Sequence, residues 1–186
     1  MLILRAAMLF TPLAVAGAYL VELEPHRDER GFFARSYCAE EFARHGLPRE
    51  FPQSNLSRNP RRGTLRGMHY AVAPSVESKL VRCSSGAIFD VLIDVREGSP
   101  SFGKWLSAEL SRDNGAALFV PAGVAHGFLT LAEDTDVLYQ MGDVFRADTA
   151  RGLRWNDDAF GVTWPAPPAL ISERDASYPN FERALP

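Results

Sequence analysis

Short runs of alternating apolar and polar residues dominate the chain, and glycine, proline, asparagine or aspartate separates most of them. Alternation with a period of two places apolar side chains on one face of a strand, and many such runs are typical of a β-sandwich or barrel. The pattern predicts strands at residues 18–23, 32–37, 53–57, 64–70, 78–84, 87–94, 105–110, 117–120, 127–131 and 136–141. The sequence therefore predicts an all-β protein.

Helical sequence is scarce. Residues 39–45 have an acidic first turn and stop before Gly46, which predicts one short helix, because glycine readily ends a helix. The last 30 or so residues, rich in proline, predict an irregular tail wrapped on the body of the protein. Neither repeats nor a linker interrupt residues 1–186, so we expect a single domain.

The N-terminus resembles a signal peptide, because residues 1–20 are mostly apolar, carry Arg5 and end in small residues. Thr11 and Pro12 interrupt the run, so it falls short of the ~20 unbroken apolar residues of a membrane span. Met8 is an alternative start, which would make residues 1–7 an N-terminal extension. We expect a cytoplasmic protein without a membrane segment, with secretion as the alternative.

Composition agrees with a soluble globular protein, since 46% of the 186 residues are hydrophobic and 23% are charged. The formal net charge of −3 gives no general attraction to nucleic acid. Arg58, Arg61 and Arg62 form a small basic cluster, which is either a solvated loop or a contact for a phosphate-bearing ligand. Cys38 and Cys83 are too few for a disulfide framework, and we expect both to be reduced and packed.

Strand parity sorts the side chains of residues 89–96 into two faces. Phe89 and every second residue after it face a core. Asp90, Asp94 and Arg96 share the other face, which is either a polar barrel lumen or a solvated surface.

Two of the four histidines, His69 and His126, lie in apolar sequence flanked by glycine, which suggests proton chemistry in a dry cavity. A packed core histidine is the alternative, above all for His126. For His69, nearby Arg66 and Lys79 favour the catalytic interpretation. Arg66 and His69 fall on opposite faces of a regular strand, so they share a cavity only if a bulge at Gly67 changes the parity.

The segment from Gly115 to His126 resembles the second motif of the cupin superfamily, a jelly roll also described as a double-stranded β-helix barrel. The segment from Gly63 to His69 begins like the first cupin motif, but Ala71 replaces the second histidine. A cupin metal needs about three or four N or O ligands, so we expect no metal. The expected fold is a cupin-like jelly roll with a few short helices.

From about Met8 to Phe181 the chain resembles the dTDP-4-dehydrorhamnose 3,5-epimerase family. The resemblance rests on DERGFF at 28–33, QSN at 53–55, LRGMHY at 65–70, KLVR at 79–82, FDV at 89–91, SPSFG at 99–103, AHGF at 125–128, WND at 155–157 and RD at 174–175. So many motifs in the right order are highly specific for the family and less specific for the substrate.

The resemblance implies an epimerase that acts beside a ketone without metal or cofactor. His69 matches the family's general base, and Asp175 matches the carboxylate that holds it. Lys79 matches the residue that stabilises the enolate, and Tyr139 the acid that returns a proton on the opposite face. The implied reaction converts dTDP-4-dehydro-6-deoxy-D-glucose to dTDP-4-dehydro-L-rhamnose by proton transfer at C3 and C5.

The resemblance also implies a substrate-binding set and an assembly. The binding residues are Arg30, Gln53, Asn55, Arg66, His126 and Phe145. The family is a homodimer that exchanges N-terminal strands, so we expect Arg30 to serve the neighbouring subunit's site.

Two residues depart from the family pattern. Arg35 stands where members usually carry glutamate, and Phe145 stands where a tyrosine stacks on the nucleotide base. These departures keep open a different nucleotide, or epimerisation at C3 only or C5 only. A metal-dependent cupin oxygenase and a non-catalytic sugar-binding cupin are the alternatives from other classes.

Overall fold

The structure, a computed structural model, describes residues 7–182 and consists mostly of β-strands. In chain order the strands are β1 (Met8–Pro12), β2 (Tyr19–Leu23), β3 (His26–Asp28), β4 (Gly31–Phe33), β5 (Gln53–Asn59), β6 (Thr64–Ala71), β7 (Lys79–Ser85), β8 (Ala87–Asp94), β9 (Trp105–Ser111), β10 (Ala117–Val120), β11 (Val124–Thr130), β12 (Thr135–Met141), β13 (Ala150–Gly152) and β14 (Leu170–Ile171). The helices are α1 (Ala39–Arg44) and α2 (Glu173–Ala176).

Two large sheets face each other. Sheet I has the strand order β1-β2-β10-β7-β12-β5, and sheet II has the order β13-β6-β11-β8-β9, with β14 added parallel to β6. Apolar side chains from both sheets meet in the space between them, among them Val81, Cys83, Leu92, Phe128 and Val137. Buried Cys83 and half-buried Cys38 are both free thiols. The predicted all-β, cupin-like jelly roll is confirmed.

Both sheets are also covered on their outer faces. Helix α1 packs Phe42 against Leu80 and Phe119 of sheet I. The C-terminal tail packs Leu153 and Phe160 against the outer face of sheet II. Strands in the middle of each sheet are therefore buried on both sides, which fixes their register because a shift by one residue would exchange the two faces.

Strand β8 shows which of its faces lines the barrel. Asp90, Leu92 and Asp94 share the inward face and are fully buried. Val91 and Ile93 point the other way and pack beneath the tail. The polar face that the sequence left open is therefore the lumen.

The strand predicted at residues 32–37 is wrong beyond Phe33. Strand β4 ends there, and residues 34–38 belong to no strand. Side-chain contacts hold this segment in place of hydrogen bonds to a neighbouring strand. The Ser36 carbonyl accepts a hydrogen bond of 3.1 Å from Arg82, and the Tyr37 ring packs edge-on against Phe42. Apolar residues here cover α1 rather than alternate across a sheet.

The C-terminal tail is less irregular than predicted. It contains β14, which pairs with Thr64 and Leu65 of β6, and the four-residue helix α2. Ser172 caps α2 by accepting the Asp175 backbone N–H at 3.1 Å. This cap fixes the position of Asp175 beside sheet II.

Within the described residues, the apolar N-terminal segment contains strand β1. Strand β1 pairs along its whole length with β2, and the Met8 N–H donates to Glu41 of α1 at 2.9 Å. The extension predicted at residues 1–7 lies, except for Ala7, outside the described residues. Among residues 7–182, no helix is long and apolar enough to cross a membrane.

A bulge at Gly67 interrupts β6, as the parity argument required. His126 of β11 lies opposite His69, whereas Phe128 lies opposite Arg66, so β6 has one extra residue in this interval. Gly67 has φ of +118°, and a Cβ there would lie 2.6 Å from the Gly127 Cα, so only glycine fits. The bulge brings Arg66 and His69 to the same side of the strand.

Candidate active site

One cavity of about 170 Å³ between the sheets gathers most of the sequence-predicted residues. Its lining is Asn55, Arg66, His69, Lys79, His126, Tyr139 and Met141. These side chains come from β5, β7 and β12 of sheet I and from β6 and β11 of sheet II. An imidazole, an ammonium and a phenol therefore face a single space.

His69 is held by Asp175 of helix α2. The Asp175 Oδ1 lies 2.8 Å from His69 Nε2, and its Oδ2 accepts the Gly67 N–H at 3.1 Å. Burial raises the pKa of Asp175, but the hydrogen bonds from His69, Gly67 and Ser172 and the charge of His69 outweigh it and lower that pKa. An ionised Asp175 orients the ring with hydrogen on Nε2, which leaves Nδ1 free to accept a proton.

His126 is the second histidine of this cavity, and unlike half-exposed His69 it is buried beside its own carboxylate. Asp90 Oδ1 lies 2.6 Å from His126 Nε2, and the other Asp90 oxygen is buried without a hydrogen bond to any residue between 7 and 182. Burial raises the pKa of Asp90 despite the opposing charge and hydrogen bond of His126. The sequence left open whether His126 faces a ligand or packs in the core. In the structure His126 is buried and paired with Asp90, and it also lines the cavity.

Tyr139 stands beside this pair, with its ring edge-on to His126 at a centroid distance of 5.9 Å. Burial raises the pKa of the Tyr139 phenol, the charge of Asp90 raises it further, and Arg66 opposes both. The phenol therefore keeps its proton at neutral pH, which is the state a proton donor needs.

Lys79 is almost buried and forms an ion pair with Glu77, whose Oε1 lies 2.7 Å from the Lys79 Nζ. The two side chains are 8% and 11% exposed, so the pair is largely shielded from water. Glu77 lines a neighbouring cavity but not the one that holds Tyr139. Lys79 lines both cavities and stands at their boundary.

The neighbouring cavity has a volume of about 190 Å³ and shares His69, Lys79 and Met141 with the first. Its wall adds Tyr70, Ala71, Glu77, Phe145, Arg146, Ala150, Arg151 and Arg174. Three guanidinium groups beside an exposed aromatic ring suit a ligand that carries both phosphate and a flat ring system.

Gln53 and Asn55 lie on β5 with different surroundings. Asn55 lines the first cavity, whereas Gln53 accepts the Phe145 N–H at 3.0 Å and donates to Asn55 at 3.2 Å. Gln53 thus fixes the loop that carries Phe145. Arg66 donates to Asn59 at 2.8 Å, which directs its guanidinium across the lumen.

Arg30 is the one predicted binding residue that this chain does not bring near the cavities. It lies in the hairpin of β3 and β4, which forms a two-stranded sheet of its own within residues 7–182. Its side chain is 85% exposed and pairs with Asp28 at 2.5 Å.

Several residues of the site were missed by sequence reasoning. Glu77 precedes Lys79 by two positions, so strand parity alone could have placed it on the same face. Strand parity left open whether Asp90 faces the lumen or solvent, so its pairing with His126 was not predicted. Arg146 and Arg151 carried no signal, because their contribution depends on a loop folding back over β6. Among the described residues, His, Cys, Asp and Glu side chains form no group of three that could hold a metal ion.

Comparison with known proteins agrees with this geometry. A family model described as dTDP-4-dehydrorhamnose 3,5-epimerase matches residues 12–183. A dTDP-4-dehydrorhamnose 3,5-epimerase of Sinorhizobium fredii is 43% identical over 94% of this chain and 90% of its own length. The chain belongs to the dTDP-4-dehydrorhamnose 3,5-epimerase family. The predicted resemblance is confirmed, and with it the class of the protein as an isomerase.

Solved structures of epimerases superpose closely on this family member. A Bacillus anthracis dTDP-4-dehydrorhamnose 3,5-epimerase with TDP and PPi bound has a TM-score of 0.90 at 36% identity, covering 94% of this chain and all of its own. ChmJ, a 3'-monoepimerase from Streptomyces bikiniensis in complex with dTDP-quinovose, has a TM-score of 0.85 at 32% identity, covering 91% and 86%. Double and single epimerases therefore share this fold.

Proposed function

We propose that this chain converts dTDP-4-dehydro-6-deoxy-D-glucose to dTDP-4-dehydro-L-rhamnose by inverting C3 and C5. The family membership supports the reaction class. The observation that carries the proposal is the convergence of His69, Lys79 and Tyr139 on one cavity of about 170 Å³. Inversion at carbon needs a base on one face of the ring and an acid on the other, and the cavity supplies both types.

His69 acts as the base. Hydrogen on its Nε2, held by Asp175 at 2.8 Å, leaves the Nδ1 lone pair to remove the proton alpha to the C4 ketone. The carboxylate also stabilises the imidazolium that forms, as in other histidine–aspartate pairs. A positioned base of this kind contributes about 10²–10⁴-fold to the rate.

Lys79 stabilises the enolate that this proton removal creates. A fixed cation beside the developing oxyanion lowers the barrier more in a site shielded from water than in solution. Arg66 lines the same cavity and adds a second positive charge. Glu77 keeps the Lys79 ammonium in place at 2.7 Å before substrate arrives.

Tyr139 returns the proton on the opposite face. Because burial raises the pKa of its phenol, the resting enzyme holds Tyr139 protonated. Arg66 favours the phenolate that is left after the transfer. His126 and Asp90 pack behind Tyr139 and keep its ring in place.

The neighbouring cavity takes the nucleotide. Phe145 offers an exposed ring for base stacking, and Arg146 and Arg151 face the same space with charges that suit a diphosphate. Phenylalanine preserves the stacking surface of the family tyrosine without its hydroxyl.

Arg35, the second departure from the family, has a structural role in this proposal. Its Nη1 lies 2.5 Å from Glu41 Oε1, and Glu41 also accepts the Met8 N–H. Arg35 thereby ties α1 and β1 together and is not free to face a nucleotide in its own chain.

A homodimer completes the site. The β3–β4 hairpin carries Arg30, Phe32 and Phe33, all exposed, and adds no strand to either sheet of the described chain. Exposed aromatic rings on an unpaired hairpin suit exchange onto a second subunit. Arg30 would then reach the neighbour's nucleotide.

Two free thiols and a nucleotide-linked substrate support a cytoplasmic location.

The test is incubation of purified protein with dTDP-4-dehydro-6-deoxy-D-glucose in D₂O, followed by mass and NMR analysis of the sugar. Double epimerisation predicts two deuterons above the enzyme-free control, at C3 and C5, with the L-rhamno configuration. No exchange above the control would reject this substrate.

Epimerisation at one carbon is the second candidate, because the 3'-monoepimerase ChmJ shares the fold with a TM-score of 0.85. One deuteron at C3 or C5 would establish it. Identity favours the double epimerase, at 43% for the Sinorhizobium fredii enzyme against 32% for ChmJ. A sugar-binding protein without catalysis would bind the nucleotide sugar and exchange no proton.

A further inference from the structure

Tyr178, just after helix α2, touches the proposed base although it lines neither cavity. Its ring meets the His69 ring edge-on, with centroids 5.9 Å apart and planes at 77°. We propose that Tyr178 is a positioning residue for the epimerisation, which fixes the orientation of the His69 imidazole from the side opposite its substrate. This inference rests on the proposed function, since it assigns Tyr178 a role in the work of His69.

The Tyr178 ring packs against a glycine, at a position where any side chain would clash with it. Gly152 of β13 lies directly opposite His69 of β6 in the strand register. A Cβ on Gly152 would lie 2.1 Å from the Tyr178 Cζ, so any other residue would displace the ring. The absence of a side chain opposite His69 therefore leaves the space that Tyr178 fills.

The segment that carries Tyr178 also carries the partner of His69. Asp175 hydrogen-bonds His69 at 2.8 Å, and three residues later the Tyr178 ring contacts the same imidazole. The Arg174 guanidinium carbon lies over the Tyr178 ring, 5.8 Å from its centroid. The hydrogen bond from Asp175 fixes the position of the imidazole Nε2, and the Tyr178 ring fixes the tilt of the imidazole plane. A single hydrogen bond would leave that tilt free.

The ring, and not the hydroxyl, carries this role. The Tyr178 hydroxyl is buried and makes no hydrogen bond within the described residues. Tyr178→Phe is therefore expected to keep kcat within about twofold of the parent, since the ring contact is what positions the base.

A double-mutant cycle between Gly152 and Tyr178 tests the proposal. Gly152→Ala displaces the ring, and Tyr178→Ala removes it, so each should lower kcat by about tenfold with KM changed less than twofold. In the Tyr178→Ala background the space is empty, so adding Gly152→Ala should lower kcat no further. Independent, multiplying losses would overturn the proposal.

Three further readouts separate positioning from a general loss of stability. Tyr178→Leu keeps a sizeable apolar side chain in this space, so it should remain folded, lose kcat and shift the acid limb of the kcat–pH profile. The substrate-free protein should show by NMR a weakened His69–Asp175 hydrogen-bonded proton in Tyr178→Leu but not in Tyr178→Phe. Parent-like NMR signals and pH profile in Tyr178→Leu would overturn the positioning role.

The NMR measurement needs no turnover, so it distinguishes the two hypotheses. If the parent exchanges no deuterium yet Tyr178→Leu alters the His69 signal, the proposed function fails and the contact stands. If the parent turns over normally and Tyr178→Leu matches it in every readout, the positioning role alone fails.

Discussion

At the scale of single residues, the site depends on which groups are charged before substrate arrives. Asp175 is ionised because hydrogen bonds outweigh burial, and Tyr139 is protonated because burial and Asp90 disfavour its phenolate. The two shifts run in opposite directions, which supports the proposed base at His69 and the proposed acid at Tyr139.

Replacement of Asp175 by asparagine tests the base. The amide preserves the shape but cannot stabilise an imidazolium, and its NH₂ competes with the ring N–H, so kcat should fall by about 10²–10⁴-fold with little change in KM. Steady-state kinetics measure this.

Asp157→Asn is a matched control for Asp175→Asn. Asp157 is an equally buried tail carboxylate that accepts the Ala159 N–H at 2.8 Å, but it lines no part of either active-site cavity. It should lower the thermal midpoint and leave kcat unchanged. Equal loss of kcat in both variants would show that Asp175 acts only on stability.

Tyr139→Phe separates proton removal from inversion. His69 can still remove and return a proton on its own face, so the recovered substrate should gain deuterium in D₂O while product formation falls by about 10²–10⁴-fold. Mass spectrometry and NMR of the recovered sugar distinguish the two. Normal product formation would mean that another group donates the proton.

At the scale of elements, the end of β8 is held by one carboxylate. Asp94 is fully buried and accepts hydrogen bonds from Arg96 at 2.9 Å, from Ser99 and from Ser101. Burial raises the pKa of Asp94, but the Arg96, Ser101 and Ser99 hydrogen bonds outweigh it and lower that pKa well below 3.8. This network fixes the loop that follows β8 without contributing to the chemistry.

The lowered pKa of Asp94 predicts that the free energy of unfolding falls at acid pH. Because its folded pKa lies below the unfolded value of about 3.8, its contribution is complete above that value and is lost as the pH falls toward the folded pKa. Asp94→Asn should cost on the order of 3 kcal/mol at pH 7 and flatten the fall in unfolding free energy below about pH 4. Denaturant titrations at several pH values measure both. An unchanged acid dependence would contradict the assignment.

The strands also show which features the local hydrophobic pattern of the sequence can predict. Period-two alternation predicted the strands that carry Asn55, Lys79 and Tyr139. The parity conflict between Arg66 and His69 identified Gly67 as the place where a bulge would let the two share a cavity. Strands β3, β13 and β14 have two or three residues and leave no periodic signal. Residues 34–37 read as a strand because apolar residues that cover a helix can alternate as well.

Contacts between distant segments were beyond the sequence. The pairing of His69 with Asp175 spans 106 residues and was available only through the family resemblance. Tyr178 and Arg146 had no such guide, since their contacts exist only once the tail and the β12–β13 connection have folded over sheet II. The hydrophobic pattern predicts which face is buried, not which distant polar group lies against it.

At the scale of the whole molecule, the site in one chain lacks the Arg30 that the family pattern places at the ligand. In the hairpin that carries Arg30, Phe33 is 73% exposed. An exposed aromatic ring of this kind suits an interface rather than a solvated surface. The proposed homodimer covers these rings and brings Arg30 to the neighbouring site.

Subunit complementation tests this assembly. Arg30→Ala should raise KM about tenfold and His69→Ala should abolish turnover, each as a homodimer. Mixed after dissociation, the two variants form heterodimers with one intact site, so activity at low substrate should rise above the sum of the separate variants. Sedimentation of the parent as a monomer, or no gain on mixing, would contradict the exchange.

In the proposed reaction, one sugar ring lies between His69 and Tyr139 with its ketone at Lys79. The most direct measurement is a crystal structure with dTDP-glucose, which lacks the ketone and cannot react. We predict His69 Nδ1 within about 3.5 Å of C3 or C5 on one face, Tyr139 on the other face, and Lys79 directed at O4. A hexose outside the cavity, or both groups on the same face of the ring, would rule out this mechanism.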